Sequence, residues 1–310
     1  MKQLYSILII SVFLFTSCNQ SKSNEKSEGK KIKVGVTMLS MQNEFIVNIS
    51  DEMNKKAKEL GVELITVDAE HSPLKQIEQV ESFIAQKVDV IIMNPCEVEA
   101  SSPAVTKALA ATIPIINVNS ATSSKPTAFV GSNDVESGRI AMKFIADKLG
   151  GKGNVVMIHG FMGQAAQIQR EQGAKEILKE YPNIKLIAHQ TGEWDRAKSM
   201  DLMQNWIQSY GTKINAVFAQ NDEMGLGALK ALQDAGMKDK VIVVSIDAIA
   251  DALQAVKNGT LDATVFQNAK QQGAGAIEVA VKIAKRQTFE KELMIPFQLV
   301  TKENISEFLK

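Results

Sequence analysis

Cysteine is nearly absent from this 310-residue chain: only Cys18 and Cys96 occur, with three scattered histidines, His71, His159 and His189. Two cysteines cannot form the dense disulfide framework of a small secreted scaffold. Histidines with no cysteine or histidine neighbours at ligand spacing give little material for a transition-metal centre. Net charge is also lacking, because 35 Lys and Arg balance 35 Asp and Glu. That balance argues against a broad electrostatic partner, whether nucleic acid or an anionic membrane face. No apolar run beyond the first 20 residues is long enough to cross a bilayer. No nucleophile–base pair or nucleotide fingerprint stands out, so an enzyme is not expected and no cofactor is implied. The Gly150–Gly153 stretch (GGKG) lacks the Gly-Lys-Ser/Thr ending of a phosphate loop and reads as a helix-to-strand turn. What the chain does have is 45% hydrophobic residues. That is enough for packed cores, and its length allows two domains of ordinary size.

The first residues read as an export signal. Lys2 supplies a positive start, Leu4 to Phe15 is an almost unbroken apolar run, and the small residues Thr16 and Ser17 precede Cys18. This pattern describes a secretory signal over 1–17. Cys18 after the small pair resembles a bacterial lipobox, although Phe15 stands where most lipoboxes carry Leu. A lipidated Cys18 and a polar tether over 18–31 are therefore expected, with the protein exported and held at the periplasmic or outer face of a membrane. The tether is too polar to order itself by burial.

From Ile32 onward, strand-like and helix-like segments alternate. Ile32–Val36, Val62–Val67, Val88–Met93 and Ile113–Val118 are short, β-branched and apolar, as strands of a parallel sheet buried on both faces are. Glu44–Leu60, Leu74–Gln86 and Ala104–Ala111 between them read as helices. In the first, Phe45, Ile49, Met53, Lys56 and Leu60 recur at helical spacing. Five further strands come at Val155–His159, Ile184–Ala188, Ala216–Ala219, Val241–Ile246 and Thr264–Gln267. Helices at Val135–Leu149, Gln164–Glu180, Arg196–Ser209, Glu223–Ala235 and Ile249–Lys257 separate them. Gly61, Gly150-Gly151 and Gly236 are placed as helix stops. Repeated βα units imply an α/β fold of two doubly wound parallel-sheet lobes, split near 131–133. In such sheets ligands bind beyond the carboxyl ends of the strands. Functional residues should therefore sit just after strands.

That filter leads to Ala216–Leu232 (AVFAQNDEMGLGALKAL), where a strand ends in a Gln-Asn-Asp turn and a helix begins. Asn43-Glu44-Phe45 after the first strand, Asn94-Pro95 after the third, Val244-Ser245-Ile246-Asp247, Gly192-Glu193-Trp194-Asp195 and Val265-Phe266-Gln267 complete the pattern. From about Ile32 to Val300 the chain resembles the periplasmic sugar-binding proteins of the ribose-binding type. The resemblance implies two lobes joined by a three-crossing hinge, near Ser132-Asn133, Gln267-Asn268 and Pro296-Phe297. It places 32–132 plus 268–296 in one lobe and 133–267 plus 297–310 in the other. It further implies that Asn43, Asn94, Asn221, Asp247 and Gln267 hydrogen-bond a ligand and that the rings of Phe45 and Trp194 flank it. Carboxylates and amides suit hydroxyls that both donate and accept, and flat rings suit C–H patches.

The departures shape the expected ligand. Where the family pattern has Asp-Arg after the fourth strand, this chain has Asn119-Ser120. Where it has an arginine in the helix after the sixth, this chain has Ile168, with Arg170 on a neighbouring structural arginine. Ile46 and Ile246 replace aromatics. A less charged, more apolar site is expected, with Asn119 replacing the Asp, Gln164 and Gln167 as substitutes on the helix, and ribose itself doubtful. The ligand is left open between another pentose, a deoxy-sugar, a cyclic polyol and a non-sugar molecule.

Each residue also has a plainer reading, since Asn and Asp after strands commonly cap helices and make turns. Asp222 is read as such a cap, His159 as rim or packing, Cys96 as a small semi-buried residue, and Met224, Ala228 and Leu232 as core. The implied function is a monomeric, lipid-anchored solute-binding protein that delivers a small sugar or polyol to the transmembrane subunits of an ABC permease. A ligand sensor for a chemoreceptor or histidine kinase shares every one of these features. A DNA-binding repressor on the same core would need a helix-turn-helix where the signal stands.

Overall fold

Residues 31–309 are described in a computed structural model; the leader 1–17, Cys18 and the tether to residue 30 lie outside the described residues. The chain begins with β1 (Lys33–Met38), α1 (Glu44–Leu60), β2 (Glu63–Asp68), α2 (Pro73–Ala85), β3 (Val90–Met93), α3 (Ser102–Ala110), β4 (Ile115–Val118) and β5 (Ala128–Gly131). Next come α4 (Asp134–Lys148), β6 (Gly153–His159), α5 (Ala165–Glu180), β7 (Ile184–Thr191), α6 (Arg196–Tyr210) and β8 (Ala216–Ala219). It then runs through α7 (Asp222–Asp234), β9 (Ile242–Asp247), α8 (Ala250–Asn258), β10 (Ala263–Phe266), α9 (Ala269–Ala284), β11 (Glu292–Met294) and β12 (Gln298–Thr301).

These strands form two six-stranded sheets, ordered β2-β1-β3-β4-β5-β11 and β7-β6-β8-β9-β10-β12. All pairings are parallel except β12 against β10. Because β1 and β6 each lie inside their sheet, flanked by the next strand on one side and a later one on the other, each sheet has a switch point. Open α/β sheets bind ligands beyond such points. The chain passes from one sheet to the other three times, between β5 and α4, between β10 and α9, and between β11 and β12. The expected α/β architecture of two parallel-sheet lobes is therefore what the chain adopts.

Local chemistry explains the elements. Asn43 opens α1 by accepting from the backbone N–H of Phe45 and Ile46, and Gly61 closes it in the left-handed conformation at φ 68°. Its buried stripe is Phe45, Ile46, Ile49, Met53 and Ala57. Leu60, expected on that stripe, is 44% exposed, because the face has rotated past it by the last turn. The strands β3 and β4 are buried along their whole length. Met224, Ala228 and Leu232 are fully buried on α7.

Sequence patterning does not reveal β5, α9, β11 or β12. The helix α9 carries Gly273 and Gly275, which weaken helix propensity in isolation. Packing explains Gly273: a Cβ there would fall 2.4 Å from the carbonyl oxygen of Ile49 on α1. Tertiary contact, not propensity, selects this helix. Among the described residues, no helix is long and apolar enough to cross a membrane.

Candidate binding site

The carboxyl ends of both sheets open onto one cavity of about 420 Å³ between the lobes, a volume typical of small-ligand sites. Eight of the nine sequence-derived positions line it: Asn43, Phe45, Asn119, Gln164, Trp194, Asn221, Asp247 and Gln267. Asn94 does not. It is fully buried beneath the cavity, where its Oδ1 accepts from Leu39 N and its Nδ2 donates to Val118 O and to Asn119 Oδ1. Asn94 therefore orients Asn119, behind the cavity surface.

Several lining residues are not evident from sequence motifs. His71 comes after β2 and Phe161 after β6, and their rings meet at 4.5 Å from opposite lobes. Both satisfy the rule that functional residues come just after strands, which is the available signal. Arg170 corrects an expectation. A less charged site is expected because Ile168 stands at the family's arginine position, with Arg170 matched to a neighbouring structural arginine. Ile168 is indeed turned outward and 45% exposed, but Arg170 on the next face of α5 reaches the cavity. Gln167 does not line it; its Nε2 donates to Glu171 and its carbonyl accepts from Gln220.

Arg170 is buried and ties several segments together. Its Nε donates to Asp134 Oδ1 at 2.8 Å, Nη2 to Gln267 Oε1 at 3.0 Å, and Nη1 to the carbonyl of Gln220. Nη1 also lies 3.7 Å from Asp247 Oδ1. Burial pushes the Asp247 carboxyl well above its usual range, and Arg170 opposes that push only in part. Asp134 is raised for the same reason.

Trp194 is fixed on its shelf by Gly160, where a Cβ would come within 1.9 Å of the indole. Its Nε1 donates to Gln164 Oε1 at 2.7 Å, so that oxygen holds the ring. Asn221 caps α7 by accepting from Met224 N through Oδ1. Asp222, read from sequence as the cap, is instead the first helical residue. Its carboxylate accepts from Ser245, Thr264 and Ile249 N, pinning the loop behind Asp247. It turns inward because the extended backbone of Asn221 leaves that side chain facing the orphan N–H groups.

Two observations mark the cavity as built for a ligand. Asn221 Nδ2 and Gln267 Nε2 are buried amide donors without a hydrogen-bond partner, a costly state that an incoming acceptor relieves. In addition, His71, Asn119, Trp194 and Asp247 all lie at positive φ, at 60°, 64°, 60° and 132°. Such strain in non-glycine residues persists where the surroundings over-determine it, and it clusters at ligand clamps.

Comparisons with known proteins agree with this architecture. A family model described as a periplasmic binding protein domain matches residues 34–288. The chain belongs to the periplasmic binding protein family. Its curated relatives include the xylitol-binding protein of Mycolicibacterium smegmatis, 37% identical over 94% of this chain and 82% of that one. The ribose import binding protein of Bacillus subtilis is 34% identical over 96% of this chain and 98% of the other. Among solved structures, an ABC transporter solute binding protein from Bacillus halodurans with bound myo-inositol has a TM-score of 0.87 and 41% identity. That alignment covers 91% of this chain and 98% of that one. These relatives are binding proteins for sugars and polyols.

Proposed function

We propose that the chain captures one small, uncharged sugar or polyol between its lobes and delivers it to the transmembrane subunits of an ABC importer. The carrying observation is the pair of buried, unpartnered amides of Asn221 and Gln267 facing the cavity. Ligand hydroxyls supply their acceptors and donate in turn to the Asp247 carboxylate. Phe45 and Trp194 offer flat faces to the C–H patches of a ring. The relatives' ligands (xylitol, ribose and myo-inositol) share these needs.

The lobes hinge where the chain crosses, near 132–133, 267–268 and 295–297, and the form described is closed. Val98 N donates to Gly163 O across the cleft at 3.1 Å, and Ala250 N to Glu44 Oε1 at 3.4 Å. Closure desolvates the ligand and presents the paired lobe faces to a permease. A lipid on Cys18 and the polar segment after it would hold this body beside the membrane.

A thermal-shift screen against sugars, polyols and nucleosides tests the reading. Ligand at 100 times its dissociation constant adds about 2.7 kcal/mol of stability. A raised midpoint with at least one sugar or polyol is expected. If only charged or nucleoside ligands raise it, the sugar assignment fails while the fold stands.

A further inference from the structure

We infer that His159, His189 and Glu171 form a site for one divalent transition-metal ion of the zinc class on the second lobe. None of the three lines the interlobe cavity. His159 ends β6, and His189 lies on the neighbouring β7 opposite Met157, so both imidazoles occupy the same sheet face two residues apart. Glu171 reaches them from α5, which covers that face. One ligand atom from each side chain lies within 4.8 Å of the other two.

Hydrogen bookkeeping shows what the cluster lacks. His159 Nε2 and His189 Nδ1 are 3.2 Å apart and share one proton. If His159 carries it, the other nitrogen, Nδ1, turns a lone pair toward Glu171 Oε2 at 3.8 Å. If His189 carries it, His159 Nδ1–H finds no acceptor, since that atom is buried without a hydrogen-bond partner. Either way His159 Nδ1 is left without a hydrogen-bond partner beside the Glu171 carboxylate. His159 is only 3% exposed, so bulk water does not reach it.

The donor set selects the ion. Two imidazoles and a carboxylate suit zinc and its neighbours, whereas magnesium and calcium prefer all-oxygen shells. Donors around tetrahedral zinc with bonds of about 2.0–2.1 Å stand roughly 3.3 Å apart. His159 Nε2 and His189 Nδ1 already have that spacing at 3.2 Å, and the Glu171 carboxylate stands beside the same imidazole, 3.8 Å from His159 Nδ1. Glu171 is positioned by Gln167 Nε2 at 3.0 Å and by Lys175 at 2.5 Å, which act as outer-shell supports. His189 is exposed and gives the ion an entry path, and three protein donors leave a fourth position for water.

The test uses untagged protein stripped with a chelator, then dialysed against Zn²⁺ or Mg²⁺, with bound metal counted. One Zn²⁺ per chain, a raised unfolding midpoint and no effect of Mg²⁺ are expected. His189→Ala and Glu171→Gln, both at accessible positions, should weaken Zn²⁺ binding about tenfold or more while keeping the metal-free midpoint. Co²⁺ provides a readout that needs no variant: the wild type should develop the visible absorption band of a tetrahedral site. Absence of that band, absence of bound Zn²⁺, or equal binding by the wild type and both variants would overturn the assignment.

Discussion

Asp247 illustrates how a single residue is held ready at a cost. Its backbone lies at φ 132°, its carboxyl is buried, and its nearest cation is Arg170 at 3.7 Å. Asp247→Asn removes the buried charge, so the ligand-free protein should be at least as stable as the parent. The same change forfeits a charged hydrogen bond of about 1.5–3 kcal/mol, so calorimetric titration should show affinity falling roughly 10- to 100-fold. Arg170 behaves oppositely. Arg170→Met leaves Asp134 and Asp247 buried without their partner, and denaturant unfolding should show a loss of about 3–5 kcal/mol. His71 provides a pH dependence. Burial lowers its pKa below 6.5, so the folded, closed form binds a proton less readily than the unfolded or open one. Its contribution is present above about pH 6.5 and is lost as pH falls through that value toward the lowered folded pKa. Asp247, whose pKa is raised, shifts ligand-free stability with the opposite sign as pH falls. The difference between wild type and His71→Gln therefore isolates the histidine, and wild-type affinity should decline more steeply than the variant's between about pH 7.5 and 5.5.

At the level of elements, the site depends on the few residues at the carboxyl end of each strand. The turn after β6 carries Gly160 because the Trp194 ring occupies the space of a side chain. Gly160→Ala should therefore displace the indole and reduce ligand affinity, with a smaller effect on the unliganded unfolding midpoint; quenching of tryptophan fluorescence by ligand should be diminished in parallel. The same junctions explain what can be read from the residues alone. Buried runs such as Val90–Met93 and Ile115–Val118 announce their strands without tertiary information. Asn221 is legible as either a cap or a ligand contact, and the structure gives it both tasks, its oxygen on Met224 and its amide toward the cavity. The helix α9 is not legible, because its glycines make sense only once α1 lies against it. Arg170 is legible only as a structural arginine, because less than one helical turn separates it from Ile168 and only the rotation of α5 decides which of them faces inward.

For the whole molecule, the central feature is a closed cleft whose two walls come from different sheets. Phe45 and Asn43 project from the first, Trp194, Asn221 and Asp247 from the second, and Gln267 lies on a crossing between them. Ligand should favour closure, because it supplies partners for the buried amides of Asn221 and Gln267. Small-angle scattering should show a smaller radius of gyration on addition of the ligand identified by the thermal screen, and an unchanged radius would argue against a hinge. The most direct measurement is a crystal structure of the protein with that sugar or polyol. The account predicts hydroxyl oxygens within hydrogen-bond distance of Asn221 Nδ2, Gln267 Nε2 and the Asp247 carboxylate, with Phe45 and Trp194 flanking the ring. A ligand bound elsewhere, or a cleft in which those two amides still lack partners, would contradict it.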